Sequence, residues 1–214
     1  MNFASTVVAA MLVLGTPQAL AQTPKPGGTL NFAVSAEPPN YDCHAQTSFA
    51  FLHPVRPHYS TLLKFDGANY PKVVGDLAES WTVTPDGLTF TFKLKRNVKF
   101  HDGSAFTSED VKATYDRLRK PPEGVRSVRE ESYKDVAAID TPDAYTVVFR
   151  LSRANASMLS NFASPWDCVY SAAKLKEDPR FPEKTVMGTG AFKFKETVKG
   201  SHWEGVRFDG YFRK

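Results

Sequence analysis

Apolar and polar side chains alternate without a break over residues 88–95. The positions that share one face are Leu88, Phe90, Phe92 and Leu94. Such alternation predicts a half-buried strand with an aromatic inner face. The preceding Pro85-Asp86-Gly87 predicts a turn, because proline presets φ and glycine accepts a positive φ. Residues 80–83 are then the other arm of a hairpin.

A helix is predicted just after this hairpin, beyond a second turn at Asp102-Gly103. Thr107 precedes Asp110 by three residues, which resembles a capping box with Asp in the acidic position. The apolar residues that follow at helical spacing are Val111, Tyr115 and Leu118. That spacing places them on one buried face.

Weaker patterns divide the rest of the chain. They predict strands over 29–34 and 60–65, helices over 47–52, 155–162 and 172–177, and a polar, solvent-facing connection over 119–134. Residues 136–151 predict a hairpin with its turn at 141–143, and with Tyr145, Val147, Phe149 and Leu151 facing inward. In a strand near the end of the chain, Phe192 and Phe194 should face inward.

Composition favours a packed, globular chain over a disordered one. Of 214 residues, 42% are hydrophobic and 13% aromatic, and no apolar run is long enough to cross a membrane. The net charge is +4, which raises the question of a nucleic-acid partner. The basic residues are dispersed among acidic ones and on strand faces, as at Lys93 and Lys195, so we expect no nucleic-acid partner.

The first 21 residues predict a cleaved signal peptide. They contain no charged residue, carry a short apolar run and end in Ala19-Leu20-Ala21, a typical cleavage site. The alternative is a buried N-terminal helix. Residue 22 is Gln rather than Cys, so nothing indicates a lipid anchor there. We therefore expect an exported, periplasmic protein.

Cys43 and Cys168 are the two cysteines of the sequence. Two thiols cannot form a four-ligand zinc site alone. In an oxidising compartment a disulfide between them is the simplest expectation. Two separate buried thiols are the alternative.

The sequence gives little support for a metal site, a catalytic site or a dinucleotide-binding loop. His44, His53 and His58 invite a metal hypothesis, but Pro54 and Pro57 prevent a regular helical pair of ligands, and solvated or core histidines are favoured. The chain has neither G-x-S-x-G nor H-E-x-x-H, so a secreted hydrolase stays a rival without a nucleophile motif. Gly188-Thr-Gly190 lacks the third glycine of a dinucleotide loop, and no cofactor is expected.

The stretch LAESWTVTPDGLTFTFKLKRNVKFHDGSAFTSEDVKATY, residues 77–115, resembles the signature region of the extracellular solute-binding proteins of peptide- and nickel-type ABC importers. The resemblance implies an α/β, periplasmic-binding-protein-like fold of type II. Its first lobe would comprise residues 22–58 and 155–214, with a main sheet, and an inserted α/β subdomain would comprise residues 59–154. The second lobe of that family is expected to be absent from this chain, which would be an N-terminal part.

The same resemblance implies binding rather than catalysis. The expected function is capture of a peptide or similar solute in the periplasm by a monomer, and its delivery to ABC permease subunits in the inner membrane. Glu37, Tyr41 and Trp166 are the expected ligand-binding residues. The alternatives are a surface turn at Glu37 and a core position for Trp166. We expect this chain alone to bind solute poorly, and an inert fragment is a further alternative.

Overall fold

A computed structural model describes residues 27–213; the predicted signal peptide, residues 1–21, lies outside the described residues. The helices are α1 Phe49–Val55, α2 Ser108–Arg119, α3 Met158–Phe162, α4 Ala172–Glu177 and α5 Phe181–Lys184. The strands are β1 Leu63–Phe65, β2 Val73–Gly75, β3 Ala78–Val83, β4 Thr89–Leu94, β5 Val136–Asp143, β6 Thr146–Leu151, β7 Phe192–Val198 and β8 His202–Arg207. Short 3-10 segments are Cys43–Ala45, Arg56–His58 and Glu130–Tyr133. Across the described part of the chain, every helix falls short of the length and apolar content that a membrane span requires.

The predicted hairpin of residues 80–95 forms one half of a four-stranded antiparallel sheet in the order β3-β4-β6-β5, with β3 at the edge and β4 inside. Phe90, Phe92 and Leu94 are all at most 4% exposed, so the alternation assigned the buried face correctly. Gly87 has φ +70°, a conformation that glycine adopts without steric cost. The strand, its turn and its inner face are therefore confirmed.

Helix α2 packs against β5 and β6 and begins as its sequence predicts. The backbone N–H of Thr107 donates to the carboxylate of Asp110 at 2.7 Å, and the two residues form the capping box. Val111, Tyr115 and Leu118 are at most 1% exposed. The capping box confirms the predicted start of this helix, and the burial of these three residues confirms its predicted buried face.

Phe162 of α3 joins the sheet to the rest of the core. Its ring centroid lies 4.7 Å from that of Phe149, 5.0 Å from Phe92 and 5.5 Å from Tyr115. One buried cluster runs from Leu62 through the sheet to α3 and beyond. It therefore crosses the expected boundary of the subdomain at 154/155, and the division into lobe and subdomain stays a prediction.

The strand expected at 29–34 is wrong, and so is the contribution that residues 28–58 were expected to make to a main sheet shared with residues 155–214. Residues 27–58 contain no strand in the structure, and all the strand pairs of the described residues are antiparallel. Leu30 and Phe32 are 82% and 60% exposed. A strand exists only where a neighbour accepts its hydrogen bonds, and no described strand pairs with this apolar run.

The hairpin of residues 136–151 forms, but its turn is at Ala144-Tyr145 rather than at 141–143. Pro142 lies inside β5 instead of in the turn. β5 is at the edge of the sheet, and Pro142 falls in the irregularity between Asp140 and Asp143, where it has no partner on β6; the missing N–H of proline therefore costs no ladder hydrogen bond. Tyr145, expected to face inward, occupies the turn and is only half-buried.

Several smaller predictions shift. Helix α1 starts at residue 49 and includes Pro54. Helix α3 starts at residue 158, because the Asn155 side chain caps the turn before it and accepts from Ser157 N at 3.0 Å. The polar connection 119–134 is not wholly solvent-facing, since Tyr133 is 1% exposed. Phe192, expected to face inward, is 41% exposed.

The Gly188-Thr189-Gly190 segment packs directly on the 3-10 turn Arg56–His58. Gly190 N donates to His58 O at 3.0 Å. A methyl group at Gly190 would overlap the backbone of residues 57–59. Two backbone segments can therefore approach this closely only where the side chain is a hydrogen atom.

We expect Gly190→Ala to lower the free energy of unfolding by about 1–3 kcal/mol, the usual cost of overpacking a rigid site. Gly67→Ala is the matched control, because a methyl group there meets no atom within 4 Å. Urea unfolding of both variants measures the difference. A Gly190→Ala variant as stable as the Gly67→Ala control would contradict this account of the close approach.

Candidate functional site

A disulfide between Cys43 and Cys168 organises a second, smaller core. Their Cα atoms are 6.0 Å apart, and both residues are fully buried. Phe51, Val55, Tyr59, Tyr170, Leu175 and Val186 surround the bond. The bond ties the segment that carries Tyr41 to the segment that carries Trp166, so two of the three expected ligand-binding residues border the same core.

A buried ion pair lies beside the disulfide. Arg117 of α2 donates to both carboxylate oxygens of Asp42, at 2.5 and 3.2 Å, and to His44 Nδ1 at 2.8 Å. The Tyr170 hydroxyl donates to Asp42 at 3.0 Å and accepts from Cys43 N at 2.8 Å. Burial by itself would raise the pKa of Asp42, but His44, Arg117 and these hydrogen bonds hold it below its usual value.

Sequence reasoning missed this network. Asp110, Thr114 and Arg117 recur at helical spacing beside the apolar face of α2, and all three are buried. They bind residues 170–179: Asp110 accepts from Ala172 N, Thr114 accepts from Tyr170 N, and Arg117 Nε donates to Pro179 O. A polar stripe at i, i+4 and i+7 was the available signal.

Four aromatic side chains pack around the edge of the disulfide core, and we call them the aromatic rim: Tyr41, Trp166, Phe194 and Trp203. The Tyr41 ring centroid is 5.3 Å from that of Trp203 and 6.1 Å from that of Phe194. Trp203 and Phe194 are 4.7 Å apart across the β7–β8 hairpin. All four are half-buried, so each shows part of its ring to solvent.

Trp166 occupies a different stretch of the rim. Its ring stacks on Phe51 at 5.9 Å, and the Arg129 guanidinium lies 5.2 Å from its centroid. Arg129 also pairs with Asp167, with 3.5 Å between Nε and Oδ1. The indole is therefore held by a core residue on one side and by a cation on another.

Glu37 is exposed and binds the tip of the β7–β8 hairpin, where its carboxylate accepts from Gly200 N. The structure thus brings Glu37 and Tyr41 to the same hairpin and places Trp166 beside α1. None of these three residues lines the depression beside Arg56 or the one beside Arg119. Their role in ligand binding stays a prediction.

The buried histidines are committed to hydrogen bonds. Trp203 Nε1 can only donate, so His58 Nε2 accepts from it at 2.9 Å, and His58 Nδ1 carries the proton that it donates to Phe192 O at 2.7 Å. His44 Nδ1 accepts from Arg117, and its Nε2 donates to Cys168 O at 3.1 Å. Both rings are neutral, and neither has a nitrogen left for a metal ion.

His53 is exposed on α1, apart from this arrangement. The candidate metal-ligand group that the described residues do form is Glu196, His202 and Glu204 on the β7–β8 hairpin, with ligand atoms within 4.8 Å of one another. It is largely exposed, and Lys195 pairs with Glu204 at 2.9 Å, so a cation there would compete with an ammonium group.

His101 and Asp102 do not form a catalytic pair. His101 Nε2 donates to Gly190 O at 3.0 Å, while Asp102 accepts from the backbone and hydroxyl of Ser104 at 2.9 and 2.6 Å. Both residues thus stabilise a turn next to the Gly190 segment. His101 Nδ1 accepts from Gly188 N at 3.4 Å, so both ring nitrogens are engaged with backbone groups.

Burial lowers the pKa of His58 to about 4, whereas the unfolded value is about 6.5. Between these pH values the unfolded chain holds more protons, so stability falls as the pH falls from about 6.5 towards 4. We expect His58→Gln, which cannot titrate, to remove about 1.4 kcal/mol per pH unit from this loss. Urea unfolding at several pH values measures both slopes. Equal slopes would show that His58 is not buried in its neutral form.

Comparison with known proteins agrees with this fold. The family model for bacterial extracellular solute-binding proteins, family 5 Middle, matches residues 72–214. The chain belongs to this family, which is one of solute-binding receptors. The α/β, type II periplasmic-binding-protein-like fold predicted from the sequence is confirmed by solved structures that match about 84% of the chain.

Among curated relatives, a probable D,D-dipeptide-binding periplasmic protein of Escherichia coli K12 is 33% identical over 93% of this chain and 39% of its own length. A putative ABC transporter peptide-binding protein of Brucella ovis is 30% identical over 95% of this chain and 39% of its own length. The chain therefore spans about two fifths of these relatives.

Two of the solved structures that resemble the chain illustrate the likeness. AgaA of A. tumefaciens R10, in complex with agropinic acid, has 30% identity and a TM-score of 0.77 over 84% of this chain and 35% of its own. The oligopeptide-binding protein AppA of Bacillus subtilis, in complex with a nonapeptide, has 27% identity and a TM-score of 0.74 over 83% of this chain and 36% of its own.

Proposed function

We propose that this chain is part of a periplasmic receptor that captures a peptide or a similar small solute and delivers it to the permease of an ABC importer. The observation that carries the proposal is the family match over residues 72–214. Relatives at 30–33% identity have names that specify dipeptide or peptide binding, which supports peptides as the solute class.

The aromatic rim supplies the chemistry that such binding needs. Half-buried aromatic rings offer apolar contact area at a small cost in side-chain entropy. Tyr41 and Trp166 are the residues proposed to contact solute. Glu37 holds the tip of the β7–β8 hairpin through Gly200 N, so we propose that it also positions the strand that carries Trp203.

The chain alone should bind solute weakly. Good pockets bury about 70–90% of a ligand surface, whereas the rim is one open surface. Receptors that close two lobes around a ligand bury the other side by hinge motion. The chain spans 39% of the length of its curated relatives, and we propose that the remaining contacts in those proteins come from the rest of their length.

Fluorine NMR of the chain labelled with 5-fluorotryptophan tests this proposal. The sequence contains three tryptophans, Trp81, Trp166 and Trp203. Titration with a mixture of short peptides should shift the Trp166 signal, and also that of Trp203, at millimolar concentrations. Trp81 lies on β3, away from the rim residues in the sequence and in a different core cluster, so its signal is the internal control.

A matched pair of variants adds specificity. Tyr41→Ala should reduce the shift of the Trp203 signal, whereas Tyr145→Ala, which truncates a half-buried tyrosine in the β5–β6 turn, should leave it unchanged. Unchanged signals for Trp166 and Trp203 in the presence of peptide would contradict the proposed contact between the aromatic rim and solute. Tight binding, with a micromolar dissociation constant, would contradict the proposal that further contacts are needed.

Export to the periplasm requires the N-terminal segment. We propose that residues 1–21 are removed after Ala21, because the apolar run ends in Ala19-Leu20-Ala21. Intact-mass measurement of the protein recovered from the periplasm should give a chain that begins at Gln22. A periplasmic species that still carries Met1 would contradict cleavage.

A further inference from the structure

One open depression of about 250 Å³ has no aromatic-rim residue in its lining, which combines apolar surface with several charged side chains. It forms where the 3-10 turn Arg56–His58 meets β1, the end of β2 and residues 211–213. Its charged residues are Arg56, Lys64, Asp76 and Arg213. Three cations and one carboxylate give the lining a net charge of 3 − 1 = +2.

The single carboxylate is already fully engaged. Asp76 Oδ2 accepts from Thr61 N at 3.0 Å and from Arg56 at 3.4 Å, and Oδ1 accepts from Arg213. The Asp76 side chain is 5% exposed. Two guanidinium groups therefore share one negative charge, and little of that charge is left for Lys64.

The cations keep unused hydrogen-bonding capacity. The Lys64 ammonium group forms no ion pair with any of the residues 27–213, and the Tyr211 hydroxyl makes no hydrogen bond within the same range. The Arg213 side chain is 27% exposed, so part of its planar guanidinium faces the depression. Guanidinium, ammonium and phenol donors around one cavity match the oxygen atoms of carboxylates and phosphates.

The local electrostatics agree with this donor set. Burial lowers the pKa of Arg56, and Arg213 lowers it further, while Asp76 opposes both. The cationic side chains repel one another in this partly desolvated environment, and a bound anion would relieve that repulsion.

We propose that this depression binds a small oxyanion, a carboxylate or a phosphate group, through Lys64, Arg213 and Tyr211. The site does not depend on the proposed solute-binding function, since no residue of the aromatic rim lines it. A bound oxyanion would link the ends of β1 and β2 to residues 211–213 and stabilise their junction.

The test is a titration of the full chain at low ionic strength with inorganic phosphate, with succinate and with chloride as separate ligands. Amide chemical shifts of Thr61, Gly75 and Ala191 should change with phosphate or succinate in the millimolar range and much less with chloride. Saturation by phosphate alone would assign the site to phosphate, and saturation by succinate alone would assign it to carboxylates.

Two variants that each remove one positive charge decide whether these residues form the site. Lys64→Gln and Arg213→Gln should each weaken binding about two- to fivefold, as expected for one partly exposed charge. Lys199→Gln, which removes the same charge from an exposed lysine on the β7–β8 turn, is the control and should bind like the parent chain. Equal affinities in all three variants, or equal responses to chloride and phosphate, would overturn the proposal.

Discussion

Removal of the disulfide by the double substitution Cys43→Ala/Cys168→Ala should lower the free energy of unfolding by about 4–5 kcal/mol. The two cysteines are 125 residues apart, and closing so long a loop removes much of the conformational entropy of the unfolded chain. Most single domains are stable by only about 5–15 kcal/mol. The loss would therefore bring the chain close to unfolding at room temperature, as urea unfolding would measure.

Chemical reduction provides the control for the double variant. Dithiothreitol should destabilise the parent chain by a similar amount and leave the double variant unaffected, because the variant has no bond to reduce. Thiol titration of the denatured, non-reduced parent should find no free cysteine. Two titratable thiols would refute the bond, and a double variant within about 1 kcal/mol of the parent would refute its energetic role.

Breaking the buried ion pair should have the second-largest effect. Arg117→Met should cost about 3–5 kcal/mol, because it leaves the Asp42 carboxylate buried without its cation. The side chains of Arg117 and Asp42 are 3% and 0% exposed. The deficit should shrink as the pH is lowered, since a protonated Asp42 no longer carries an unpaired charge.

Two further variants distinguish the effect of breaking the buried ion pair from the effect of losing an arginine side chain. Arg150→Met, in the exposed pair with Asp140 at 2.7 Å, should cost no more than about 1 kcal/mol. Asp42→Asn/Arg117→Met should recover part of the loss, because the unpaired charge is gone. If Arg117→Met costs as little as Arg150→Met, the buried pair contributes nothing specific to stability.

The local elements were predictable because their causes are local. The turn at Gly87 depends on glycine's access to positive φ, and the start of α2 depends on Thr107 and Asp110, three residues apart. The buried face of β4 follows from alternation alone. In each case the interacting residues are close in sequence, so the sequence pattern alone is enough to predict the element.

Predictions failed where an element depends on a distant partner. The apolar run of residues 29–34 has the composition of a strand, but no described strand pairs with it. Pro142 was assigned to a turn, although it is accommodated in β5 because that strand lies at the edge of the sheet. Composition cannot reveal whether a strand has one neighbour, two or none.

The candidate site shows the same division. A bond between Cys43 and Cys168 was the simplest expectation from cysteine count and export, and the structure forms it. Arg117, by contrast, was missed, because its partners Asp42 and His44 are 75 and 73 residues away along the chain. Its position in a polar stripe of α2 is visible in the sequence, but the carboxylate that it neutralises is not.

The sequence by itself determined the family, the class of fold, the β3–β4 hairpin and the buried face of α2, since these follow from short-range patterns and a long motif. Only the tertiary structure decided which side chains meet: Trp203 with His58, Tyr41 with the β7–β8 hairpin, and three cations around Asp76. Contacts between residues more than 100 positions apart depend on how the elements pack. Burial then sets the energetic value of each charge and hydrogen bond, because a low-dielectric surrounding strengthens paired groups and penalises unpaired ones.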